Sequence, residues 1–442
     1  MRVVALVDGE HYPSVVQWGL ASARAEGYQV EAAVLVGGGE KLFEDPAAMA
    51  GSGVIVLDGR PDPSRAVGEA IGRFRPEALL DLSGEPVLGD EARMLLAAKA
   101  LAAGVAYVGP DFRFHPPVTE PRLPAPALAV IGTGKRVGKT AVAGHAARLA
   151  AADGLRPAIV AMGRGGPAEP VVAEAVSLAD LLGRADRREH AASDYLEDAV
   201  TAGVPTVGAR RCGGGLAGRP FATNVGDAAR MAAAGGADPV ILEGSGSSVP
   251  TVPWDAAILV ASGAAPAASL GGWLGPFRVL LSDVLVLIIE PSPSAGPDNL
   301  SALVSVARRL HDGIRVVIAE LQPVALADVR GRDAFFATTA HHELAGRLAG
   351  MLERSAGCRV VSFSSHLADR AALERDLAAA PSYDVLLTEL KASAVDVAAR
   401  RAVERGAGVV FVDNRPATVG GDGDVDAAIR QATALARRRA GR

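Results

Sequence analysis

Val130-Ile131-Gly132-Thr133-Gly134-Lys135-Arg136-Val137-Gly138-Lys139-Thr140 is the stretch on which the reading of the chain turns. The apolar run Leu128 to Ile131 predicts a buried strand, and the alanine-rich run from Thr140 to Ala152 predicts a helix. Strand, glycine turn, Gly-Lys-Thr and helix in that order make a phosphate-binding loop. The glycines let backbone N–H groups approach phosphate oxygens closely, and the helix N-terminus adds partial positive charge. Lys139 would reach the β- and γ-phosphates, and Thr140 would offer its hydroxyl to Mg²⁺. The expected nucleotide contacts are therefore Gly132, Thr133, Gly134, Lys135, Gly138, Lys139, Thr140 and Ala141.

The spacing departs from the common form. Five residues, not four, separate Gly132 from Gly-Lys-Thr, and Thr133 holds the four-residue position. Gly-Thr-x-x-x-x-Gly-Lys-Thr resembles the dethiobiotin synthetase group of P-loop enzymes. A second likeness lies at Glu243-Gly244-Ser245-Gly246, which ends the apolar strand Pro239 to Leu242. A carboxylate at such a strand end holds the metal of P-loop enzymes opposite the loop hydroxyl. Glu243 reads as that group or as an ordinary strand-end carboxylate.

Composition sets the frame. The chain has 442 residues, enough for two or three domains. Nearly half are apolar and the formal charge is −5, which excludes a general nucleic-acid binder. The two cysteines, Cys212 and Cys358, offer no disulfide framework or metal-ligand pair, so the cytoplasm is the expected compartment. The N-terminus lacks the pattern of a signal peptide, and the longest apolar run, Val284 to Ile289, is too short to span a bilayer. Only five lysines occur, and two of them, Lys135 and Lys139, lie in the loop.

Residues 1–114 alternate strands (Val3–Val7, Val30–Val36, Val54–Leu57, Ala78–Leu82, Ala106–Val108) with helices, which predicts a doubly wound, parallel, Rossmann-like α/β domain. Ligands of such sheets bind beyond the strand C-termini. Asp8–His11, Gly37–Lys41 and Ser83-Gly84-Glu85-Pro86 are polar or glycine-rich turns at that edge. No G-x-G-x-x-G occurs in this domain, so NAD is rejected. His11 reads equally as a substrate contact or as a polar residue opening a helix. Residues 115–124 are proline-dense and mark a linker. Residues 125–442 are then the larger P-loop nucleotide-binding domain.

Two arginine–glycine turns follow in that domain. Arg164, in Gly163-Arg164-Gly165-Gly166-Pro167, sits where the second strand of a P-loop fold meets the phosphates. Arg210 and Arg211 precede Gly213, Gly214 and Gly215. Guanidinium forks beside a backbone able to nest an anion suit a polyphosphorylated ligand. The alternatives are a flexible turn and a solvated charged face. Ser193 is expected to cap the helix after it. Turns are expected at 320–323, 388–391 and 413–416, where Lys391, Asn414 and Pro416 would meet adenine or ribose or serve the turn alone. The absence of an Asn-Lys-x-Asp guanine signature favours ATP. Arg437–Arg442 reads as a solvated tail.

Taken together, Asp8-Gly9-Glu10-His11-Tyr12-Pro13, the 83–86 turn, the loop 132–140, Met162–Pro167, Arg210–Gly215, Glu243–Gly246 and Asp413–Pro416 resemble the cyclic 2,3-diphosphoglycerate synthetases along nearly the full chain. That resemblance implies ATP-dependent closure of 2,3-diphosphoglycerate to a cyclic pyrophosphate, with Mg²⁺, a K⁺ dependence and a homodimer. It implies a catalytic set of Lys135, Arg136, Lys139, Arg164, Arg210 and Arg211. Thr140 and Glu243 would hold the metal. His11, Arg164, Arg210, Arg211, Gly213 and Gly214 would hold the small-molecule substrate. A ligase of the dethiobiotin synthetase type that activates a carboxylate, and a nucleotide-switched binding protein, share the P-loop. The first predicts a less basic pocket and no first domain. The second predicts a Cys/His cluster or a guanine signature, and neither occurs.

Overall fold

The computed structural model describes residues 1–41, 46–51, 53–187, 189, 193–290, 296–390 and 394–441. The first domain's apolar runs become β1 (Arg2–Val7), β2 (Gln29–Leu35), β3 (Ile55–Asp58), β4 (Ala78–Asp81) and β5 (Ala106–Val108). They lie parallel in the order β3-β2-β1-β4-β5, and a short β6 (Arg113–Phe114) adds antiparallel to β5. Strand order reverses at β1 and β4, which opens a crevice at their carboxyl ends. Asp8 and the Ser83-Gly84 turn stand there.

The second sheet is built from β7 (Ala127–Gly132), β8 (Ala158–Gly163), β9 (Val171–Ala173), β10 (Thr206–Cys212), β11 (Ala222–Thr223), β12 (Val240–Glu243), β13 (Ala256–Ser262), β14 (Val284–Ile289), β15 (Arg315–Ala325), β16 (Asp333–Ala337), β17 (Arg359–Ser364), β18 (Val385–Thr388) and β19 (Gly408–Gly421). Its order is β11-β10-β8-β12-β7-β13-β14-β15-β19-β18-β16-β17, with β9 also on β10. Every residue of β7, β8 and β12 is buried. Unbroken apolar runs of this kind are what a parallel sheet covered on both faces requires.

Four expectations are corrected. The segments 320–323 and 413–416 are not turns. They lie within β15 and β19, which pair antiparallel with Gln322 opposite Arg415 and Leu321 opposite Pro416. Pro323 and Pro416, with polar neighbours, made both look like turns. Strands β6, β9, β10, β11 and β16 were not among those expected. Ser193 stands at the N-cap position of helix Asp194–Ala202, but it makes no capping bond and its hydroxyl is buried without a partner among the described residues. The arginine-rich end is not a solvated tail. It finishes helix Val425–Arg439, where Arg437 Nε meets Asp238 at 3.1 Å and Arg439 Nη2 meets Asp283 at 2.9 Å. That helix buries Val425, Ala428, Ile429, Ala432 and Ala436 in one core with Val142, Ala143, Ala146 and Ala147 of the P-loop helix Lys139–Ala152.

The two sheets are joined by side chains. Helix Asp90–Ala102 of the first domain packs on helix Gly275–Leu280 of the second. Ala217, Leu274 and Phe277 are buried in the first domain's own core cluster. The proline-dense segment is tied down as well: the Thr119 and Glu120 N–H groups donate to Thr251 O.

Candidate active site

Strand order explains how distant residues meet. β12 lies between β7 and β8, all parallel, with Glu243 level with Val130 on one side and Ala161 on the other. β10 then pairs with β8. The loop after β7, Glu243 at the end of β12, Arg164 after β8 and Arg211 near the end of β10 therefore stand in succession along one sheet edge. At about 4.8 Å per strand spacing the row spans roughly 14 Å.

At one end of the row is the phosphate loop. The Thr140 hydroxyl donates to Glu243 Oε1 at 2.7 Å. Lys139 is buried, and its ammonium donates to Gly134 O at 2.6 Å. A Cβ on Gly132 would lie 2.8 Å from Lys139 Cδ, so the lysine stem needs that glycine. Lys135 and Arg136 are exposed on the loop, and Arg136 takes a left-handed backbone, φ +63°, which costs a non-glycine residue energy. Ala141 follows in the first helical turn.

Sequence reasoning missed Asp198. Its side chain is fully buried, and neither carboxylate oxygen has a hydrogen-bond partner among the described residues. Burial first, and then the neighbouring Glu243 charge, hold it well above the usual carboxylate range. The signal was available. Asp198 lies three residues after Tyr195 and four before Ala202, both on the buried side of the helix. A carboxylate in an apolar stripe calls for a partner. The residues here fit a hard divalent cation: two carboxylates and a hydroxyl, all oxygen donors, one carboxylate with orphaned oxygens. The described residues contain no group of three or more His, Cys, Asp or Glu placed to hold a metal.

At the other end the arginines separate by strand alternation. Arg210 points away: its Nε donates to Pro167 O at 2.8 Å and also to Gly166 O, which pins the 163–167 turn. Arg211 turns toward the loop after Glu243. It donates to Gly213 O at 2.6 Å and Ser245 O at 2.9 Å, and its Nε is buried without a partner among the described residues. A Cβ on Gly246 would stand 3.3 Å from Arg164 Nη2 and 3.4 Å from Arg211 Nη2, so both guanidinium tips close on one point. Burial, and then the Arg164 charge, pull Arg211 below its usual pKa. Among the described residues no ion pair engages Arg164 or Arg211. Gly213 and Gly214 follow in the same hairpin, Gly214 against the Ser248 hydroxyl.

Comparison with known proteins shows the family. Sequence models of the cyclic 2,3-diphosphoglycerate synthetase N-terminal, P-loop and C-terminal domains match residues 2–115, 127–319 and 325–415. The chain belongs to the cyclic 2,3-diphosphoglycerate synthetase family. A cyclic 2,3-diphosphoglycerate synthetase of Rubrobacter xylanophilus is 45% identical over 447 residues, covering 100% of this chain and 99% of its own. One from Methanothermus fervidus is 38% identical, covering 98% and 97%. Among solved structures, ATP-bound LpxK from Aquifex aeolicus aligns over 73% of this chain and 90% of its own, with 15% identity and a TM-score of 0.39.

Other expected site residues of this family member lie elsewhere. His11 is set at the first sheet's edge by Asp8, whose Oδ1 is 2.8 Å from His11 Nδ1 and whose Oδ2 accepts from Gly84 N–H at 2.7 Å. No described hydrogen bond or ion pair joins it to Arg164 or Arg211. Asn414 donates to Glu389 Oε1 at 3.1 Å, and Pro416 lies in the β15–β19 ladder. Lys391 falls outside the described residues.

Proposed function

We propose that the chain closes 2,3-diphosphoglycerate to its cyclic pyrophosphate, driven by ATP, with release of ADP and phosphate. The names of its relatives support this reading. The observation that carries it is the convergence of Arg164 and Arg211 on Gly246, beside Glu243 and the phosphate loop. Two like charges without a carboxylate partner suit an anionic ligand.

The substrate carries two phosphates on adjacent carbons, and they repel. Arg164 and Arg211 offset that repulsion and hold both groups near the nucleotide. A substrate phosphate oxygen attacks the γ-phosphorus of ATP, the bond to the β-bridging oxygen breaks, and ADP leaves. The adjacent phosphate oxygen then attacks the ester-linked phosphorus of the new diphosphate. Its P–O–P bond breaks, inorganic phosphate leaves, and the ring P–O–P bond forms. Phosphate nucleophiles are ionised near neutral pH, so no side chain has to take a proton. Lys139, Lys135 and Arg136 stabilise the charge on the transferred group. Arg210 acts by fixing the turn that bears Arg164.

Thr140, Glu243 and Asp198 would hold Mg²⁺, which when bound neutralises phosphate charge. The first domain would contribute His11 to the substrate. Asn414, Pro416 and Lys391 are carried forward as the adenine side. A K⁺ requirement, a cytoplasmic location and a homodimer, with Lys135 reaching the partner's nucleotide, complete the proposal. Light scattering of the purified protein tests the dimer. No described helix is long and apolar enough to cross a membrane.

The decisive experiment supplies ATP, Mg²⁺ and 2,3-diphosphoglycerate and follows ³¹P NMR. The expected result is ADP, phosphate and a cyclic pyrophosphate in equal amounts. ATP turnover without the cyclic product would overturn the proposal in favour of a carboxylate-activating ligase.

A further inference from the structure

Arg278 lies outside every motif discussed above, yet the interior is arranged around it. It sits on helix Gly275–Leu280 and is 6% exposed. Its guanidinium serves carbonyls from three separate segments. Nε and Nη2 donate to Ser247 O at 3.1 and 2.6 Å, Nη2 also reaches Leu216 O at 3.3 Å, and Nη1 donates to Leu274 O at 3.1 Å. Ser247 belongs to the loop that follows Glu243. Leu216 belongs to the hairpin that follows Arg211. Leu274 is buried in the first domain's core cluster, as are Ala217 beside Leu216 and Phe277 beside Arg278.

No carboxylate is paired with Arg278 among the described residues, and burial alone pulls its pKa down to about 10, so it stays cationic near neutral pH. The two loops it serves are also stitched directly: Val249 N–H donates to Gly218 O at 3.0 Å. A planar fork with donors in fixed directions can bind three carbonyls at once, and a lysine cannot copy that geometry.

We propose that Arg278 is the positioning residue of the polyanion site: by tying the Ser245–Ser248 loop and the Gly213–Gly218 hairpin to the first domain, it fixes where Arg211 and Gly246 stand. This rests on the reading of the Arg164–Arg211 pair as the substrate site. Its mechanical half, one residue setting two loops, can be tested without any substrate. The first domain then acts on the chemistry through Arg278, because the helix that bears it is the helix on which the first domain packs.

The test uses the full-length Arg278→Lys and Arg278→Gln variants. Hydrogen exchange is expected to speed up in 213–219 and 244–249 together, with the phosphate loop 132–140 unchanged. The KM for 2,3-diphosphoglycerate is expected to rise at least tenfold while the KM for ATP stays within twofold. Lys, which keeps the charge but not the fork, should recover less than half of the lost affinity. Unchanged exchange in either loop would overturn the proposal whatever the substrate proves to be. So would parallel changes in both KM values, which mark a general loss of fold. Should the wild-type chain bind no 2,3-diphosphoglycerate, the functional reading fails while the exchange result still judges the mechanical one. Should Arg278→Gln fail to fold, Arg278→Lys carries the same measurements.

Discussion

Asp198 and Arg211 are opposite cases of one physical problem, an ionisable group with no ion pair among the described residues, the first fully buried and the second half-buried. For Asp198 the folded-state pKa is raised. Its contribution to stability is therefore fully present below the ordinary Asp value of about 4 and is lost as pH rises toward the folded value. Asp198→Asn removes that titration. In the absence of metal the Asn variant is expected to melt higher than the wild type, by a margin that grows from about pH 4 upward. With Mg²⁺ and ADP the order should invert, since the wild type gains from the cation and the variant does not. Calorimetric melting with and without Mg²⁺ reads both signs, and a wild type that melts higher in metal-free buffer would refute the assignment. For Arg211 the missing partner is anionic. Arg211→Lys keeps charge but loses the fork, and the KM for 2,3-diphosphoglycerate should rise at least tenfold, about 1.4 kcal/mol of binding. Added salt should weaken both alike and leave the gap in place.

At the scale of elements, the loop after β12 does two jobs in four residues. Glu243 faces Thr140, and Gly246, with φ +61°, lets two guanidinium groups come close. Gly246→Ala places a methyl against both and imposes a backbone that L residues rarely adopt. The expected outcome is a selective loss of substrate affinity, with ADP affinity, read by calorimetry, within twofold. Loss of ADP binding would show that the two halves of the loop are not separable. The loop was only half legible in the sequence. A strand ending in Glu-Gly-Ser-Gly singles out Glu243 as a candidate, with an ordinary strand-end carboxylate as the alternative. Gly246 takes its meaning from β8 beside β12 and β10 beside β8, since strand order is not written in local pattern. The same limit hid Asp198, whose neighbour Glu243 is distant in sequence, and it let prolines turn the β15–β19 pair into false turns. The helix Val425–Arg439 was legible, since Val425, Ala428, Ile429, Ala432 and Ala436 follow a helical period that runs into the arginines.

For the whole molecule, the first domain is not a detachable binding module. Phe277, fully buried in the first domain's core cluster, belongs to the second domain. Phe277→Ala should cost about 3–5 kcal/mol and loosen both domains in one cooperative transition, visible as a single lowered melting step. Two resolved steps, one unshifted, would mean that the domains unfold independently. The P-loop core is likewise shared, because the last helix packs on the helix that carries Lys139 and Thr140. That packing has a consequence for biosynthesis. The phosphate loop is translated early, but the surface that supports its helix, Val425–Arg439, leaves the ribosome well after it. ATP should therefore be no ligand for the nascent chain. Chains arrested before residue 425 are expected to pass through an ATP affinity resin that retains the released protein, and their retention would show that the loop matures without its final support.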